Sequence, residues 1–263
     1  RRSRKPPTLS TGSFAPEPGP RSPRSRTRRA QTLRMPARLI LADAPPARDA
    51  LTFAQRAAQA GAHGVRLQAA AGLLRMSAAA LTPRGALDRT PTILVLRTLR
   101  SDPELQCDVT VDTLTATADP LTLALPETAL APAWTSVEPP QHGWRLIADV
   151  TSLTLMRSAR AGIEAVAQAL PDKPGDDVVR KIRGTVWGTP DTALASLPQG
   201  VAFAAYVFGF LSRGNGATIS TAGRWTRLTL PTGHVLLRGP VASGLTPIRR
   251  TRPRVSKSVT SIE

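Results

Sequence analysis

Histidine, cysteine, paired carboxylates and aromatic side chains beside arginine are the groups with which this chain would do chemistry, and each is scarce. The three histidines, His63, His142 and His234, lie far apart, and none has the His-Glu-x-x-His spacing that sets two imidazoles on one helix face. Each adjoins a glycine, which places it at a turn as an exposed or capping side chain. The single cysteine, Cys107, has no histidine near it in sequence and reads as a buried thiol rather than a nucleophile. Two acids, Asp43 and Asp149, stand where a strand is expected to run into a helix, the point at which open sheets often bind ligands. Brought into one cleft, they would form a carboxylate pair for metal or acid and base work. Pro45-Pro46 removes two amide donors that a phosphate cradle would need, so Asp43 reads first as a helix cap.

Aromatic residues make up only 4% of the chain, so the four tryptophans, Trp134, Trp144, Trp187 and Trp225, are expected to anchor the core or its edges. The run Arg224-Trp225-Thr226-Arg227 alternates cation and ring as a basic, base-stacking strand would, although a solvated strand face has the same pattern. Asp43, Asp149, Arg224, Trp225 and Arg227 are the candidate ligand or nucleic-acid contacts. No Gly-x-Ser-x-Gly elbow, Walker A sequence or Gly-x-Gly-x-x-Gly after a strand occurs. The sequence therefore points to no catalytic residue, cofactor or metal.

The elements that must position these residues follow from periodicity. Residues 37–42 suit a short buried strand, and a helix follows from Ala47 to Ala60, with Leu51, Ala54 and Ala58 on one face and Gly61 as its stop. Strands are expected at 65–70 and 73–81 around Gly72, and at 92–99, where Ile93-Leu94-Val95-Leu96 suits a strand covered on both faces. From Ser101 to Pro140 apolar residues are interrupted by Asp, Thr and Pro, so short pieces are expected, with a division between two lobes near 127–143. A strand at 144–150 leads to an amphipathic helix, 152–170, capped by Thr151 or Ser152, with Leu153, Met156, Ile163, Val166, Ala167 and Leu170 as its core stripe. A second helix spans 176–187, and a third, Val201–Leu211, is apolar nearly all round and must be buried. Strands at 218–221, 224–230 and 234–238, separated by turn residues, predict an antiparallel meander. No internal repeat of 20 to 50 residues is apparent.

Two helices before a hairpin, with Arg180, Lys181 and Arg183 on the first, resemble a winged helix-turn-helix in outline. The 188–200 connection is too long for that turn, and the second helix offers only Tyr206 to read bases.

The net charge of +17 is unevenly placed. The first 34 residues carry ten basic side chains against Glu17, and residues 239–263 carry five against Glu263. Residues 35–238 hold 20 basic groups against 16 acidic ones. The leading segment, with six Pro, five Ser and nine Arg, buries too little apolar surface to offset chain entropy, so disordered basic tails are expected at 1–34 and 239–263. Met35-Pro36-Ala37-Arg38-Leu39-Ile40-Leu41 reads like a protein start, with residues 1–34 an over-extended reading frame; the other reading is an arm that neutralises phosphates. One cysteine fits a reducing compartment, and the longest apolar run, 11 residues, is short of the ~20 that span a bilayer, so a soluble cytoplasmic protein with no membrane span is expected.

The segments Val65-Arg66-Leu67-Gln68-Ala69-Ala70, Leu87-Asp88-Arg89-Thr90-Pro91-Thr92, Ala202-Phe203-Ala204-Ala205 and Gly223-Arg224-Trp225-Thr226-Arg227-Leu228 resemble conserved hypothetical proteins of high-GC Gram-positive bacteria. The resemblance covers residues 35–238, supports Met35 as the start, and implies no activity, cofactor or site residue. The expected fold is α+β: a mixed or antiparallel sheet with several packed helices and a C-terminal strand meander, folded over 35–238. The leading expectation for function is a non-catalytic interaction or ligand-binding protein with a protein or small-molecule partner. Nucleic-acid association through the arginine-rich tails is the alternative from a second class, and an enzyme with an unfamiliar site is the third.

Overall fold

Alternation of apolar residues with period two dominates the chain, and it builds one large antiparallel sheet. The computed structural model describes residues 38–239 apart from 86, 87, 137 and 213; the expected tails lie outside these residues except for Gly239. The elements are β1 (Arg38–Ile40), α1 (Ala44–Gln59), β2 (Val65–Ala70), β3 (Leu73–Leu81), β4 (Thr92–Arg100), β5 (Cys107–Val111), β6 (Thr115–Ala116) and β7 (Thr122–Ala124). A connector holding a 3-10 turn at Ala133–Ser136 leads to β8 (Arg145–Thr151), α2 (Ser152–Ala169), α3 (Asp176–Gly188), β9 (Pro190–Asp191), β10 (Leu197–Pro198) and α4 (Gln199–Val207). The meander β11 (Gly216–Ala222), β12 (Trp225–Leu230) and β13 (Gly233–Arg238) completes the described chain.

The main sheet has eight strands in the order β5-β2-β3-β4-β13-β12-β11-β8, every pair antiparallel. This order contains a repeat that the sequence does not show. In each half a strand and a helix precede a three-stranded meander, β1-α1-β2-β3-β4 and then β8-α2 followed by β11-β12-β13, and the last strands, β4 and β13, pair at the centre. The halves differ at their outer edges. β8 pairs with β11, whereas the place beside β2 is taken by β5, and β1 pairs with β7 in a separate three-stranded sheet. β8 is an edge strand whose register shifts at Ile147, a bulge of the kind that blunts edge-to-edge pairing.

One face of the sheet supplies Val65, Leu67, Met76, Val95, Ile219 and Val235 to the main core, against which α1, α2 and α4 pack. α4 is buried through Gly200, Val201, Ala202, Ala204 and Ala205, as its all-round apolarity requires. α1 begins at Ala44 with prolines in its first turn and buries Ala47, Ala50, Phe53, Ala54 and Ala57. Its end is a Schellman motif: Gly61 at φ +77 donates to the Ala58 carbonyl, and Ala62 donates to that of Ala57.

The expected core stripe of α2 is corrected by its packing. The buried residues are Leu155, Ser158, Ala159 and Gly162; Leu153 and Ile163 are exposed, and Met156, Val166 and Leu170 are only partly covered. Small side chains won the interior position because the helix approaches the Trp187 ring too closely for larger ones: a Cβ on Gly162 would lie 2.3 Å from it.

β2 and β3 join through Ala71-Gly72, both at positive φ (51 and 76). That geometry suits the twist of a two-residue hairpin but strains Ala71. Replacing Ala71 by Gly is expected to raise the unfolding free energy by a few tenths to ~1 kcal/mol, read as a higher midpoint in urea titration. A midpoint lowered instead would mean that φ there is negative in solution.

Candidate functional site

Of the candidate residues, Trp225 and Arg227 lie on the second face of the sheet, where other side chains cover them. Ala79, Leu94, Trp225 and Leu236 form a small apolar cluster covered by Trp134 from the connector. Trp225 is buried, so its ring is unavailable for stacking on a base. Arg227 lies over the Trp144 ring, 4.3 Å from its centroid, and Trp144 in turn donates its indole N–H to the Pro140 carbonyl at 3.0 Å. Arg224 occupies the Gly223-Arg224 turn and is exposed. The connector is held across the sheet by Arg66, whose guanidinium donates to both Asp108 oxygens at 2.7 and 2.8 Å, to the Thr135 carbonyl at 3.0 Å, and pairs with Glu138 at 3.1 Å.

The two acids are not strand-end partners. Asp43 is the N-cap residue of α1, but its side chain makes no capping bond. Asp149 lies inside β8, paired with Thr218, rather than between strand and helix; Thr151 is the cap of α2 and accepts from the Thr154 amide at 3.1 Å. Asp149 lines an open cleft of about 350 Å³ with Ser152 and Asn215, and Asp43 is not among the residues of that cleft. His63 and His142 are exposed; His234 is half-buried near the Thr229 hydroxyl, and burial, with Arg227 nearby, lowers its pKa. Cys107 is buried, and burial pushes its thiol up.

A larger groove, about 770 Å³, lies elsewhere, between the loop after β3 and the outer side of α3. Asp88 organises that loop. It accepts hydrogen bonds from the amides of Arg84 and Thr90, both at 2.8 Å, and bonding from the Thr90 side chain and then these amides holds its carboxyl below the usual range. Arg84 ties the loop to the first turn of α3 through Asp177 at 2.8 Å. The loop and helix are near neighbours here, since a Cβ on Gly184 would reach ordinary contact with the Thr90 hydroxyl at 3.4 Å, and one on Gly188 with Pro91 at 3.7 Å. Both acids in the groove are thus committed. Arg89, Arg180 and Lys181 also line it, and among the described residues no carboxylate lies within 4.0 Å of their charged ends.

Arg183, on the same helix, turns inward instead. It donates to the Ala60 carbonyl at the end of α1 and lies 5.9 Å from the Phe203 ring centroid, which gives it a structural task. The cations of α3 stand out in the sequence, but the groove they line does not. The available signal was the pair Arg84 and Arg89 around Asp88 in a turn-rich loop, and nothing local placed that loop beside α3.

Residues 35–136 match the family profile of a domain of unknown function (DUF8010), and residues 139–242 match that of another domain of unknown function (DUF8185). The two matched segments meet in the connector, after Trp134 and before β8. No curated protein matches the chain. Among solved structures, the chain is similar to a DNA polymerase sliding clamp from Caulobacter crescentus, with a TM-score of 0.35 and 10% identity over 72% of this chain and 61% of that one. It is also similar to the Caulobacter crescentus pol III beta (TM-score 0.36, 10% identity, 68% and 58%). A third is a DnaN sliding clamp from Bartonella birtlesii (0.41, 10%, 84% and 69%). The chain spans less than two thirds of the length of the two Caulobacter proteins.

Proposed function

We propose that this is a non-catalytic binding protein whose groove between residues 81–91 and α3 takes a phosphate-bearing small molecule. The observation that carries the reading is the convergence of Arg89, Arg180 and Lys181, without paired acids among the described residues, on a space of about 770 Å³. That volume lies within the roughly 300–1,000 Å³ typical of small-molecule sites. Its acids, Asp88 and Asp177, are already bonded to loop amides and to Arg84, so the lining offers charge for holding an anion rather than a free base for proton transfer. Proline and glycine backbone around the cations, Pro91, Gly184, Gly188 and Pro190, leaves room for the ligand body.

The test is calorimetric titration of the full chain with inorganic tripolyphosphate and with ATP. Reversing two exposed charges, Arg180→Glu with Lys181→Glu, is expected to weaken tripolyphosphate binding by ~100-fold or more, since each cation-to-phosphate contact supplies roughly 1.5–3 kcal/mol. Unchanged affinity in that variant would sink the groove reading. It would favour the second reading, polyanion binding by the arginine-rich ends of the chain, which rests on ten basic residues in the first 34. Nucleic-acid binding by those ends is expected to fall steeply with salt and to ignore the α3 substitutions.

A further inference from the structure

α2 carries two apolar faces, and among the described residues the fold buries only one of them. About 120° around the helix from its buried face runs a second row, Leu153, Met156, Arg160, Ile163, Ala167 and Leu170, the last at the helix C-cap. The spacing alternates three and four residues throughout, the pattern of a coiled-coil seam. Leu153 is 54% and Ile163 37% exposed, Arg160 and Ala167 are exposed, and Met156 and Leu170 are half-covered. The helix of 18 residues offers a seam about 27 Å long.

We infer that this seam is the contact between two copies of the chain, paired as antiparallel helices about a two-fold axis near Ala161 and Gly162. The choice of a second copy rests on self-complementarity. In that one register Leu153 meets Leu170 of the second copy, Met156 meets Ala167, and the stem of Arg160 covers Ile163, so all layers of the seam are matched at once. Arg157 and Glu164 stand one heptad apart on the same flank, and the same register brings Arg157 beside Glu164 of the second copy, twice by symmetry. Glu164 already accepts from Gln168 at 3.2 Å on its own helix, which holds the carboxylate along the flank. A parallel pairing would set Arg160 against Arg160 and Arg157 against Arg157, a like-charge arrangement. A single helix seam is smaller than the standard interface of about 1,200–2,000 Å², so the dimer is expected to be micromolar rather than permanent.

Sedimentation velocity of the full chain, from about 1 μM to about 1 mM, is expected to show a monomer–dimer equilibrium. Ile163→Asp is expected to give monomer throughout that range. Arg157→Glu and Glu164→Arg are each expected to weaken the dimer about tenfold, and the double exchange to restore it. These side chains lie on the outer face, and far-ultraviolet circular dichroism should confirm an unchanged fold. The register is read by disulfide formation: a mixture of Leu153→Cys and Leu170→Cys chains is expected to cross-link as a mixed pair, and neither chain with itself. Native Cys107 is buried and stays out of the reaction. A monomer at every concentration, a dimer indifferent to Ile163→Asp, or self-linking of the Leu153→Cys chain would each overturn the proposal. The first includes the case in which another part of the chain covers the seam.

Discussion

Gly162→Ala is expected to destabilise the protein by ~2 kcal/mol, although alanine is the better helix former by about 1 kcal/mol. The added Cβ would lie 2.3 Å from Cζ3 of Trp187 and 3.1 Å from two further ring atoms. The ring has no room to retreat. It is 2% exposed, it stacks on Phe203 with centroids 4.1 Å apart, and the backbone of α4 is so near that a Cβ on Gly200 would lie 3.0 Å from the Trp187 Cβ. Relief must come from moving α2 off the rings of α3 and α4, which opens packing elsewhere. Urea unfolding of the variant against Ala161→Gly, an exposed control expected to cost ~1 kcal/mol through propensity alone, separates the two effects. A Gly162→Ala protein as stable as the parent would mean that Trp187 does not occupy this position in solution.

Arg66→Ala is expected to remove ~1.5 kcal/mol and to loosen the connector. Arg66 joins β5, the Thr135 carbonyl and Glu138, with 16% of its side chain exposed. The magnitude follows charged hydrogen bonds, reduced because Asp108 is 39% exposed and screened by water. The dependence on pH gives the mechanism its own signature. The Arg66 hydrogen bond, helped by Gln68, holds the Asp108 carboxyl below its usual range. A carboxyl with a lowered folded pKa contributes fully above its unfolded value of about 3.9, and that contribution disappears as pH falls through the folded value. The stability gap between parent and Arg66→Ala is therefore expected to be widest near neutral pH and to narrow below about pH 4. A gap independent of pH would assign the effect to lost packing of the arginine stem alone. Release of the connector should also shift tryptophan emission to the red as Trp134 is uncovered.

Much of the fold was legible because it is written in local periodicity. The meander β11-β12-β13, the hairpin around Gly72, the Gly61 stop and the Thr151 cap all depend on residues within a few positions of one another. The four-residue apolar run Ile93–Leu96 told that β4 is covered on both faces, and it lies at the centre of the sheet beside β13. The short pieces expected over 101–140 are strands β5 to β7 and the turn at Ala133–Ser136.

The sites were less legible, for a physical reason that differs residue by residue. Arg224, Trp225 and Arg227 form a motif in sequence, yet cross-strand neighbours decide whether a ring faces water; here Trp134 and Trp144, brought from the connector, claim Trp225 and Arg227. Asp43 and Asp149 looked equivalent, but Asp43 stands at the start of α1 after a strand outside the main sheet, whereas Asp149 is paired with Thr218 inside β8. The groove needs Arg89 beside Arg180 and Lys181, a separation of about ninety residues that no local pattern encodes. In α2 the sequence marked one apolar stripe; only the tertiary structure decided which face is buried. Hydrophobicity alone favoured the row of Leu153, Met156 and Ile163, but close approach to Trp187 required the small residues Ala159 and Gly162, and steric fit overruled the stronger apolar stripe.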